Sequence, residues 1–187
     1  MIKSIVIGAS FGGMEAIKFL LSALPEKFTT PIAVVLHIGN NSINSYLTAL
    51  NSDTQFNVKE GAEKEKLTSG KVYFAPPNYH LQLEDNFTFS LSTDCKVNYS
   101  RPSIDVLFET AAWSLKKKVL GILLTGSNSD GAKGLETIKK YGGKTIVQNP
   151  ETAQAKSMPQ SAINLCQPDF ILNLEDIAGK IEEICAK

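Results

Sequence analysis

Short apolar runs alternate along the chain with stretches whose apolar residues recur at helical spacing, the pattern of strands and helices in turn. Ile5-Val6-Ile7, preceded by Ile2 and rich in β-branching, predicts a strand covered on both faces, and Met14, Ile17, Leu20 and Leu21 predict the helix after it. Pro31 to Ile38 predicts a second buried strand ending in His37; Ile43, Tyr46, Leu47 and Leu50 predict the next helix, with Asn41 or Ser42 as its cap. Val119 to Leu124 is a third fully apolar strand, leading through a Gly-rich loop to Leu135, Ile138 and Tyr141 at helical spacing. Lys144 to Val147 and Phe170 to Leu172 add strands, Met158 to Ile163 a short helix, and Leu174, Ile177, Ile181 and Ile184 the core stripe of a terminal one. Strands alternating with helices give an α/β fold: a doubly wound, mostly parallel, three-layer Rossmann-like sheet.

The middle of the chain reads differently. Asn57 to Gly70 is charged and turn-rich, a solvated surface with no chemistry assigned. Lys71 to Ala75, Tyr79 to Leu83 and the alternating Phe87 to Leu91 suggest a small antiparallel hairpin excursion, with His80 inside it as a packed or hydrogen-bonded ring and a minor candidate for catalysis. Ser103 caps a helix carrying Ile104, Leu107, Phe108, Ala111, Ala112 and Leu115; Lys116-Lys117-Lys118 answer its dipole, and Arg101 at its entrance faces substrate or solvent.

Composition narrows the partners. The 187 residues suit a single domain, and 19 basic against 19 acidic residues with 43% hydrophobic content describe an ordinary globule and argue against a nucleic-acid binder. Cys95, Cys166 and Cys185 are scattered, an odd number without a C-x-x-C pair, so they read as small core residues in a reducing compartment; no disulfide framework or metal site is implied. No run is long enough to span a membrane and the N-terminus lacks a signal-peptide core, so a cytoplasmic location without membrane insertion is expected.

The candidate chemistry sits where strands end. Gly8-Ala9-Ser10-Phe11-Gly12 has the G-x-S-x-G spacing that holds a serine hydroxyl up at a sharp strand-to-helix turn, beside helix N–H groups that favour an oxyanion. A Gly-rich first turn also cradles dinucleotides, but the second strand ends in His37 where the ribose-binding acid would stand. Asp130 follows the third apolar strand, in Ser127-Asn128-Ser129-Asp130-Gly131; alone it would cap the next helix. Right-handed crossovers bring Ser10, His37 and Asp130 to one sheet edge, which meets the requirement for a serine hydrolase triad. Their order differs from the Ser, Asp, His order of α/β-hydrolases.

These motifs resemble the catalytic domain of the CheB-type chemotaxis protein-glutamate methylesterases and protein-glutamine glutaminases. The matching blocks are Gly8-Ala9-Ser10 with Gly12-Gly13, His37, Val72-Tyr73 with Ala75-Pro76, Arg101-Pro102-Ser103 with Asp105-Val106-Leu107-Phe108, Leu124-Thr125-Gly126 with Asp130-Gly131-Ala132, Gly142-Gly143 and Met158-Pro159. The resemblance implies that Ser10 attacks glutamate methyl esters on chemotaxis receptors, that His37 and Asp130 complete the triad, and that methanol leaves, or ammonia from glutamine. No cofactor is implied. The backbone N–H groups of Phe11 and Ser127 are the candidate oxyanion hole. Phe11 stands where the family usually has threonine, and Ser127-Asn128 where it has methionine and glycine. Residues 1–187 would form one catalytic domain without the receiver domain common in the family, leaving a separate receiver or a methyltransferase as candidate partners beside the receptors. The rival readings are a catalytically silent scaffold of the same fold and a nucleotide-binding module.

Overall fold

The structure, a computed structural model, describes residues 1–38 and 43–186, so the expected cap at Asn41 or Ser42 lies outside the described residues. The strands are β1 (Ser4–Ala9), β2 (Ile32–Leu36), β3 (Asn57–Glu60), β4 (Lys71–Phe74), β5 (His80–Leu83), β6 (Phe89–Ser92), β7 (Val119–Leu123), β8 (Lys144–Gln148) and β9 (Phe170–Leu172). The helices are α1 (Gly13–Ala23), α2 (Asn44–Asp53), α3 (Ile104–Leu115), α4 (Ala132–Lys140), α5 (Ser157–Cys166) and α6 (Leu174–Cys185). Seven strands form one parallel sheet in the order β3-β4-β2-β1-β7-β8-β9, and β5 pairs antiparallel with β6 outside it.

Alternation along β1 divides the core. Ile5 and Ile7 face α1, α2 and α6 through Ile17, Leu20, Leu47, Leu50, Ile177 and Ile181. Val6, between them, faces the layer of α3, α4 and α5 through Leu107, Phe108, Leu135, Ile138 and Met158. The hairpin is sealed to that second layer by the buried Leu81, Leu83 and Phe89. None of the helices among the described residues is long and apolar enough to cross a membrane.

The charged stretch holds more order than its composition suggests. Asn57–Glu60 is the edge strand, paired in parallel with β4, and β4 belongs to the main sheet, leaving only β5 and β6 in the excursion. Its charges fit an edge, where one face and one side meet water. Cys95 departs from the expectation of a core residue: it is exposed, while Cys166 is buried and Cys185 half-buried. Lys116–Lys118 form a 3-10 turn after α3, with their side chains exposed.

Chain direction across the sheet reverses between β1 and β7, since the early strands lie on one side of β1 and the late ones on the other. The connections leaving the two strands therefore run in opposite directions across the sheet, and the C-terminal ends of strands at such a reversal are where open α/β sheets hold ligands.

Candidate active site

Ser10 leaves β1 into a turn closed by the Gly13 N–H on the Ser10 carbonyl at 2.7 Å. Gly12 has φ 77° and ψ 0°, the third-position geometry of a type II turn, which glycine adopts without cost. A Cβ there would also come within 2.4 Å of Gln154 Oε1. At the other side of the serine, Gly8 lets the start of α3 approach β1: a Cβ on it would lie 2.3 Å from Ile104 Cγ2. Two glycines thus fix the nucleophile turn, one by conformation and one by contact.

The turn is tied to the loop after β7. The Ser10 N–H donates to the Thr125 carbonyl at 2.9 Å, and the Thr125 hydroxyl donates to the Phe11 carbonyl at 2.9 Å. Because the Ser10 carbonyl is held by Gly13, the Ser10–Phe11 peptide plane is fixed and its N–H points the opposite way, out of the turn. Among the described residues neither the Phe11 nor the Ser127 N–H has an acceptor. Phe11 itself is 60% exposed, so its ring stands at the rim of the site and does not fill it.

His37 follows β2 directly, and its N–H donates to the carbonyl of Ala9, the residue before Ser10, at 3.0 Å. Its Nε2 lies 3.0 Å from Asp130 Oδ2, in a bent contact that falls short of a well-aligned hydrogen bond. The other ring nitrogen, Nδ1, is 3.5 Å from Asn128 Nδ2, and Asn128 Oδ1 accepts the Asp130 N–H at 3.1 Å. Nδ1, turned from Asp130, thus has the Asn128 amide against it. The Ser10 hydroxyl, half-buried, has no hydrogen-bond partner among the described residues.

Asp130 is fully buried, and its surroundings explain how a charge survives there. Oδ1 accepts the Ser103 hydroxyl at 2.8 Å, Asn98 Nδ2 at 2.9 Å and the Asp105 N–H at 3.1 Å. Oδ2 accepts the Ile104 N–H at 2.7 Å while facing His37. Burial pushes the carboxyl up, but contacts with His37, Asn98 and the Ile104 N–H outweigh it and hold Asp130 below the ordinary carboxylate range.

Asp130 thereby caps α3, not the α4 that follows it. The expected cap, Ser103, spends its hydroxyl on Asp130. The N-terminus of α4 is served in return by Asp105, whose Oδ1 accepts the Gly131 and Gly134 N–H groups at 2.9 and 2.7 Å. Each helix lends its neighbour a carboxylate, where the helix dipoles favour negative charge. Asn98 Nδ2 bridges the pair, reaching Asp105 Oδ2 at 2.7 Å as well as Asp130. Burial first, and Asp130's repulsion with it, push the Asp105 carboxyl up despite the N–H groups it accepts.

His80 lies outside this arrangement. It is buried, its Nδ1 accepts the Ser103 N–H at 3.2 Å and its Nε2 donates to the Cys95 carbonyl at 3.1 Å, a neutral ring with both nitrogens occupied. Asn98 and Asn128 are the contributors that sequence reasoning left out. Asn128 carries a local signal, an asparagine accepting the N–H two residues on, but its approach to His37 and the reach of Asn98 to Asp130 join distant parts of the chain.

Comparison with known proteins fixes the lineage. The family model described as CheB methylesterase matches residues 5–181. The chain belongs to the CheB methylesterase family. It is 50% identical over 176 residues to a putative protein-glutamate methylesterase/protein-glutamine glutaminase of Leptospira interrogans, covering 94% of this chain and 91% of that one. The protein-glutamate methylesterase/protein-glutamine glutaminase of Thermotoga maritima is 35% identical over 185 residues, and there the chain, 97% covered, spans 54% of its relative's length. The crystal structure of the Thermotoga maritima CheB methylesterase catalytic domain superposes with a TM-score of 0.94 at 34% identity, covering 98% of this chain and 99% of that one. The seven-stranded sheet and its hairpin are thus the architecture of the CheB catalytic domain.

Proposed function

We propose that the protein hydrolyses glutamate methyl esters on chemotaxis receptors, with Ser10 as nucleophile, His37 as general base and acid, and Asp130 as the group that orients His37. The relatives named as methylesterases and glutaminases support the reaction class. The observation that carries the assignment of roles is the His37–Asp130 contact at 3.0 Å beside the Ser10 turn.

In this mechanism the imidazole nitrogen turned from Asp130 accepts the Ser10 proton as the oxygen attacks the side-chain ester carbonyl. The carbonyl oxygen becomes an oxyanion beside the N–H groups of Phe11 and Ser127, which have no acceptor among the described residues, at the positive end of α1. His37, now an imidazolium facing the buried Asp130 charge, returns the proton to methanol as the C–O bond breaks. Water, activated by His37, then cleaves the acyl-enzyme and releases the glutamate carboxylate. Glutamine follows the same course with ammonia leaving.

The test is methanol release from methylated receptor membranes by the wild type and by Ser10→Ala and His37→Ala. Release that falls on the order of 10⁴-fold in both variants supports the assignment. Folded wild type that releases none from several receptors refutes it and leaves a silent scaffold of the same fold.

A further inference from the structure

A cavity of about 330 Å³ opens beside His37, lined also by Asn78, Lys96, Tyr99 and Arg101. Besides the imidazole, its ionisable lining residues are Lys96, Tyr99 and Arg101; none is acidic. Among the described residues neither Lys96 nor Arg101 has an anionic partner. Arg101 is nevertheless fixed: its Nη1 donates to the carbonyls of Thr93 and Asp94 at 2.6 and 2.9 Å, while its Nε is buried without a partner among the described residues. A guanidinium held by neutral carbonyls keeps its full charge for something else.

The segment between the two cations is built to hold a shape. Val97 and Ser100 exchange both main-chain hydrogen bonds, at 3.1 and 2.9 Å, around Asn98 at φ 49° and Tyr99 at φ 64°. Two left-handed residues make the tight turn that right-twisted strands favour, but the second place is commonly glycine's and here carries a tyrosine, 96% exposed. Asn98 anchors the turn by donating to Asp130 and Asp105. The loop bearing Lys96, Tyr99 and Arg101 is thus tied to the carboxylate that faces His37.

We infer that this cavity is a specificity subsite for a free carboxylate carried by the substrate next to the target glutamate methyl ester, bound by Lys96 and Arg101 at the foot of Tyr99. The ester is neutral and gives the two cations nothing to pair with. A neighbouring acidic side chain does, and it would place the substrate backbone across His37. This inference rests on the methylesterase reading and adds a substrate preference to it.

The test uses receptor cytoplasmic fragments with one methylated site, in which the neighbouring residue is Glu, Gln or Lys, and follows methanol release for the wild type, Lys96→Glu and Arg101→Gln. The expected wild-type kcat/KM favours Glu over Gln by about 10-fold, expressed in KM, as one charge-assisted pair in a partly wet cleft would give. That ratio should fall towards one in Arg101→Gln and reverse in favour of Lys in Lys96→Glu, whose exposed side chain keeps the variant folded. A wild-type ratio within twofold, or a ratio unchanged in Lys96→Glu, overturns the subsite while leaving the esterase reading intact. Absence of methanol from every fragment and from receptor membranes overturns both.

Discussion

Replacing Asp130 by asparagine tests in one residue how the site is held and how it works. The carboxylate receives four hydrogen bonds, three on Oδ1 and one on Oδ2, and Oδ2 also faces His37. An amide offers one oxygen. With that oxygen at the Oδ1 position, the Ile104 N–H, now 2.7 Å from its acceptor, meets an NH2 group, and one buried donor loses its partner at about 1–3 kcal/mol. The three remaining bonds lose their charge assistance, and relief of the repulsion with Asp105 offsets part of this. The expected net cost is about 2–4 kcal/mol, measured by urea denaturation at pH 7, a large share of a total near 5–15 kcal/mol. Activity should fall further, on the order of 10⁴-fold, because an asparagine neither selects the right His37 tautomer nor stabilises its charged form. The pH dependence carries its own sign. Asp130 titrates below the ordinary value near 3.9, so its contribution is full above about pH 4 and is lost as pH falls through the lower folded value. The part of the gap between wild type and variant that comes from the Asp130 charge should therefore close only in acid below the ordinary carboxylate range. A variant within 0.5 kcal/mol of wild type, or one retaining more than about a tenth of its activity, would refute the reasoning.

Three further outcomes follow from the same contacts. Gly8→Ala places a methyl 2.3 Å from Ile104 Cγ2 and should cost about 1–3 kcal/mol in denaturant midpoint analysis, with Ser10 displaced and methanol release reduced. Asp105→Ala orphans the Gly131 and Gly134 N–H groups and the Asn98 amide and should cost about 2–4 kcal/mol, whereas Asp105→Asn keeps its Oδ1 for both N–H groups, sets an NH2 only against the Asn98 amide and should cost less, about 1–3 kcal/mol; equal losses would contradict the reciprocal capping. A pulse of iodoacetamide on native protein should modify Cys95 and spare Cys166, whose thiol burial pushes up to about 11, with Cys166 reacting only after unfolding; peptide mass spectrometry reads the sites.

Much of the fold is legible in the chain because its central strands are buried on both faces. Ile5-Val6-Ile7 and Val119 to Leu123 must be apolar throughout, and such runs cannot be mistaken for surface. The edge strand Asn57–Glu60 escapes notice for the opposite reason: with half-exposed lysine and glutamate, its order comes from pairing with β4, which is a tertiary fact. The placement of Ser10, His37 and Asp130 at neighbouring strand ends follows from topology alone. The supporting network does not. Ser103 and Asp130 each read locally as the cap of the helix that follows, yet Asp130 caps the helix of Ser103, and Asp105 caps that of Asp130. Local capping rules see three or four residues ahead, while these bonds span more than twenty. Asn98 gives no signal either, since its value lies in two carboxylates that only the folded chain brings together.

The central claim, that Ser10 is the nucleophile, is tested most directly by a fluorophosphonate probe, which bonds covalently to a serine oxygen activated by a neighbouring base. The account predicts one adduct on Ser10 by peptide mass spectrometry, loss of methanol release in proportion to labelling, far slower labelling in His37→Ala and none at residue 10 in Ser10→Ala. Methanol release that persists in fully labelled protein, or an adduct on another residue that accounts for the loss, would contradict it.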